Sequence, residues 1–68
     1  MSETEFIKFF GKDVEIVLNT GEYIKGHCET FTRSSDNDNG IASLSIATED
    51  GLLEVMQNEV DTIKTITL

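Results

Sequence analysis

Apolar residues recur along this chain with two different periods, and the change falls between Gly11 and Asp13. Before it, Phe6, Phe9 and Phe10 stand three and four residues apart, which lays them along one helical stripe. Ser2 and Glu5 have the S-x-x-E spacing of a capping box. Lys8 and Lys12 fall where the helix dipole favours cations, and Gly11 is a natural stop. The spacing predicts a helix over Glu3–Phe10. From Asp13 the period is two: Val14, Ile16 and Leu18 alternate with Asp13, Glu15 and Val17, as in a strand with one buried face.

Asn19-Thr20-Gly21 reads as a tight turn, and Tyr23–Phe31 as a second strand. Gly26 inside that strand marks a bend or bulge. The three-residue spacing of Cys28 and Phe31 predicts a slip of phase if both are buried. Arg33–Gly40 is a polar loop ending in Asn39-Gly40, a hairpin signal. With one isolated base and no apolar anchor, it is expected to be the most mobile internal segment. Ile41–Thr48 is a third strand, Glu49-Asp50-Gly51 a turn, and Leu52–Gln57 a fourth strand with Leu53 and Val55 on one face. Val60–Ile63 has helical spacing and predicts a 3₁₀ turn, after which Ile66 and Leu68 form a short fifth strand. The expected core is Val14, Ile16, Leu18, Ile24, Cys28, Leu44, Ile46, Leu53, Val55, Ile63 and Ile66, with Phe6 and Phe10 over one open end.

The fold class is therefore mainly β, a single domain over residues 1–68: a short N-terminal helix followed by a five-stranded, strongly bent antiparallel barrel. Closure of that kind removes exposed sheet edges. The stretch Gly11-Lys12-Asp13-Val14-Glu15-Ile16-Val17-Leu18-Asn19-Thr20-Gly21-Glu22-Tyr23-Ile24-Lys25-Gly26 resembles the first motif of the Sm-like family of SH3-like barrels. Cys28 and Phe31 stand where that motif continues with leucine and phenylalanine. The resemblance implies the helix-plus-barrel fold, RNA binding, and rings assembled through the fourth and fifth strands. Its RNA-contacting positions are altered. Thr32 stands where the family has an aspartate after the phenylalanine, and the following loop is rewritten as Arg33–Gly40. Val55-Met56-Gln57-Asn58-Glu59-Val60 lacks the basic-glycine pair of the second motif.

Charge changes this picture most. Thirteen acids face five bases among 68 residues, a net charge of −8. Nucleic-acid binding draws on clustered Lys and Arg, whereas Lys8, Lys12, Lys25, Arg33 and Lys64 are scattered. RNA binding would need Lys25, Arg33 or Lys64 to converge in space. The single Cys28 allows no intrachain disulfide and fits a reducing compartment. The acidic start Met1–Glu5 lacks the basic region of a signal peptide, and no apolar run approaches the roughly 20 residues of a membrane span. A cytoplasmic location with no membrane partner is expected.

Candidate chemistry is sparse. His27 and Cys28 are consecutive on a strand, so they point to opposite faces and make no nucleophile–base pair. A calcium loop beginning at Ser34 would place Asp36 and Asp38 at positions three and five. It would then have Asn39 where glycine is required and Ser45 where a bidentate glutamate is required. Ser34 and Ser35 have no positioned base. One Cys and one His make no zinc set. No catalytic, cofactor or metal site is expected, and the chain is read as non-enzymatic. Candidate contact residues for a partner or RNA are Tyr23, Lys25, Phe31, Arg33, Asp36, Asn37, Asn39, Gln57 and Asn58, with Tyr23 and Phe31 as stacking surfaces. The expected partners are a basic protein surface and a second copy of the chain.

Overall fold

The fold, obtained as a computed structural model, is described for residues 1–67. The Ser2 hydroxyl accepts from the Glu5 N–H at 3.2 Å, and the Glu5 carboxylate accepts from the Ser2 N–H at 3.1 Å, closing the capping box. The helix it starts is short. α1 covers Glu3–Phe6, and Ile7–Phe9 tighten into a 3₁₀ turn. That tightening corrects the aromatic stripe. With three residues per turn, Phe9 lies over Phe6 and Phe10 rotates away. Phe6 is fully buried, Phe9 packs against the core, and Phe10 is 55% exposed and does not cover the open end. Gly11, at φ +78°, turns the chain into the sheet, its N–H donating to the Cys28 carbonyl at 2.9 Å.

The strands are β1 (Asp13–Leu18), β2 (Tyr23–Thr32), β3 (Ser43–Thr48), β4 (Gly51–Met56) and β5 (Val60–Thr65). They form one antiparallel sheet in the order β4-β3-β2-β1-β5. The structure is thus mainly β, with a short N-terminal helix and a five-stranded antiparallel sheet. The sheet is not closed into the expected barrel. β4 and β5 are consecutive in sequence, but they pair with β3 and β1 at opposite edges, so no ladder joins them.

Two irregularities bend the sheet. In β2, Cys28 opposes Ile46 and Thr30 opposes Ser45, leaving Glu29 as an extra residue. This is the expected phase slip, and it leaves Cys28 fully buried and Phe31 half-buried. In β5, Leu18 opposes Val60 and Val17 opposes Thr62, leaving Asp61 as a bulge. That bulge corrects the reading of Val60–Ile63. Their three-residue spacing is a strand carrying an extra residue, and the 3₁₀ turn lies one step earlier, at Gln57–Glu59. β5 accordingly ends at Thr65, before Ile66, and the Leu68 part of the expected fifth strand lies outside the described residues.

The core consists of Phe6, Val14, Ile16, Ile24, Cys28, Ala42, Leu44, Ile46 and Val55. Leu18 and Ile63 are half-buried against it. Ile66 is half-buried beyond β5. Leu53 opposes the buried Ile46 yet remains 41% exposed, because β4 is an edge strand with nothing beyond it. Gly26 is required by crowding: a Cβ there would collide with the Ala47 carbonyl oxygen and lie 2.9 Å from the Ile46 methyl. Among the described residues no helix is long and apolar enough to cross a membrane.

Candidate interaction surfaces

The sheet's alternation puts Asp13, Glu15 and Val17 of β1 on the face away from the core. Antiparallel pairing aligns Lys25 and Lys64 with Glu15, one on each side. Lys64 Nζ lies 2.9 Å from Glu15 Oε1, and the Tyr23 hydroxyl donates to Glu15 Oε2 at 2.8 Å. The Lys64 ammonium, then the Tyr23 hydroxyl, hold the Glu15 carboxyl below its usual value. Bonded to Glu15 in turn, Lys64 and Tyr23 are both pushed up. Two of the three bases whose meeting would favour RNA do converge, but around a carboxylate that takes up one of their charges. The third, Arg33, is held 3.0 Å from Asp36. His27 Nδ1 lies 2.8 Å from Asp13 Oδ1 on the outer face, away from the buried Cys28. Burial pushes the Cys28 thiol up, away from the reactive thiolate.

The β2–β3 connection is hydrogen-bonded at several points. Ser34–Asp36 form a 3₁₀ turn. The Ser34 N–H donates to Glu3 Oε2 at 3.2 Å. Asn37 Nδ2 donates to the Ile41 carbonyl at 2.6 Å and to Ser43 Oγ at 3.1 Å, and Ser43 Oγ donates to Glu54 Oε2 at 3.0 Å. Asn39 Oδ1 accepts from the Ile41 N–H at 3.0 Å. Asp36, Asn37 and Asn39 therefore each make at least one hydrogen bond within the fold. An amide anchor replaces the missing apolar one, because Ser43 is buried and must be satisfied.

Gln57 and Asn58 line a groove of about 550 Å³ between that connection and the β4–β5 turn, together with Met1, Glu3, Ser34 and Ala42. The Gln57 side chain already donates to the Met1 carbonyl at 2.7 Å. Phe31 is half-buried, and its ring meets Phe6 edge-on, centroids 6.3 Å apart. The candidate residues thus divide among four places and form no single site. Tyr23 and Lys25 alone sit in a second groove, of about 660 Å³, between the start of β2 and the β3–β4 turn.

From sequence Lys64 stood out only as one of three bases that would have to converge, and Glu15 and the Ser43–Glu54 pair did not stand out. Glu15 was legible as a polar position of an alternating strand, whereas its partner depends on β1–β5 pairing, which no local signal carries. Comparison with protein-family models, with curated proteins and with solved structures gives no match.

Proposed function

We propose that this chain is a small, acidic, non-enzymatic interaction module of Sm-like type, which associates through its sheet edges and offers its carboxylates to a basic protein. The observation that carries this reading is the open sheet. Among the described residues no strand pairs with the outer edge of β4, and that strand exposes Leu52 at 70% and Leu53 at 41%. An unpaired edge is a template for another strand, and fully burying a leucine contributes about 1.5–3 kcal/mol. β5, the opposite edge, is a strand of the same length, six residues. A β4-to-β5 contact between copies would be head-to-tail and would repeat. Repulsion between copies at −8 each opposes it, and screening over about 8 Å at physiological salt relieves part of that.

The acidic balance supports a basic protein over RNA, since the converging Lys25 and Lys64 flank Glu15 and Arg33 is paired with Asp36. Light scattering across a salt series tests the assembly, with mass expected to rise with salt. A monomer at every salt concentration removes the edge-to-edge model. Titration with uridine-rich and adenine-rich RNA tests the partner class. Micromolar binding at about 150 mM salt that is lost on Lys25→Ala would put RNA first.

A further inference from the structure

We propose that the cleft between the start of β2 and the β3–β4 turn is the docking groove for an arginine-bearing segment of a protein partner. This deepens the reading of the chain as a module for basic proteins and rests on it. The cleft arises from the ladder. β2 begins at Tyr23, but its pairing with β3 starts only at His27–Ala47, so Tyr23–Gly26 pair with β1 alone. The β3–β4 hairpin continues past that point to its turn at Glu49–Asp50, leaving a groove of about 660 Å³.

Its walls are of two kinds. Tyr23, 55% exposed, and Leu53, 41% exposed, supply an aromatic ring and an aliphatic surface. The Tyr23 ring is held in place by the hydrogen bond from its hydroxyl to Glu15. Glu22, Glu49 and Asp50 line the same groove, and none of the three is in an ion pair among the described residues. Lys25 is the one ammonium in the lining, and it stands beside Glu15 in the ladder. Three carboxylates against one ammonium, next to an exposed ring, are complementary to a guanidinium. Its charge meets the acids, while its plane stacks on tyrosine and its methylene stem covers leucine.

The test uses the isotope-labelled full chain and a short peptide of alternating arginine and glycine, at about 150 mM salt. Amide shifts are expected at Tyr23, Ala47 and Leu53. The double variant Glu49→Lys/Asp50→Lys should weaken binding about tenfold. Glu29→Lys/Asp38→Lys makes the same charge change outside the groove and should weaken it less than about twofold. Circular dichroism melts establish that both variants are folded. Equal losses in the two variants would overturn the groove while leaving a general attraction to basic proteins standing. If the unaltered chain fails to bind the peptide, both the groove and the basic-partner reading fall.

Discussion

The two edges of this sheet are the same length and are built differently. β5 carries a bulge at Asp61 and a lysine at position 64 that is committed to Glu15. Bulges and lysines are the devices by which edge strands avoid pairing with other chains. β4 has neither: its register with β3 is unbroken over six pairs, and Gly51, Leu52, Leu53 and Glu54 are all exposed. Its inward side is nonetheless bound to the core through Val55, opposite Leu44. In the proposed β4-to-β5 contact β4 is the open half and β5 the partly guarded half, and a domain with so small a core gains stability by burying more surface.

The largest expected effect separates the two sides by stability. Leu44 of β3, the ladder partner of Val55 on β4, is fully buried, so Leu44→Ala should cost about 2–5 kcal/mol. Ile63 on β5 is half-buried, and Ile63→Ala should cost about half as much. Urea midpoints at constant slope measure both, and equal losses would show that the β5 side carries as much of the core as the β4 side.

A smaller loss is expected from Gly26→Ala, about 1–3 kcal/mol, because the added methyl meets the Ala47 backbone. The strain falls where β2 parts from β3, so amide exchange should speed up in β3 and β4 while β5 stays protected. Equal acceleration in β5 would mean that the two edges open as one unit.

Changes at the edges themselves should move association more than folding. Leu52→Lys puts on β4 the kind of guard β5 already has. Stability should shift by no more than about 0.5 kcal/mol, and any salt-promoted rise in mass should disappear. Lys64→Leu strips the guard from β5 and should raise association at the same salt. Light scattering that finds the two variants alike would erase the distinction between the edges.

The smallest effect is electrostatic. The Glu15 carboxyl titrates below its usual value in the fold, so its contribution is present above the unfolded carboxyl range and is lost as pH falls through the lowered folded value. Lys64 is raised, so its share is present at neutral pH and lost as pH climbs through the raised value. Lys64 is exposed and Glu15 half-buried at the surface, and the effect is small. Glu15→Gln should flatten the acid limb of the stability curve. A limb that keeps its full slope would assign it to other carboxylates.

How much of this was legible beforehand depended on how local each signal is. The capping box, the alternation of β1, the stop at Gly11 and the slip between Cys28 and Phe31 were all readable, because each lies within a few residues of chain. The core positions of β1–β3 followed from the same period. The reading failed where a distant partner decides. Asp61 is a bulge only because β1 lies beside it, so its spacing imitated a helical turn. Phe10 left the core because the helix tightened after one turn. Asn37 became an anchor because the buried Ser43 needed a partner. Of the candidate contact residues, Phe31 went to the core, while Arg33, Asp36, Asn37 and Asn39 went to holding the loop.

The sequence by itself determined the strand segments, the aromatic start and the excess of carboxylates, since propensity, period and charge are properties of the chain. Only the tertiary structure decided that β4 and β5 stand at opposite edges. It also decided that Lys25 and Lys64 meet across Glu15, and that a cleft opens beside Tyr23. Strand order and ladder length arise from pairing between distant segments, and local pattern does not encode them.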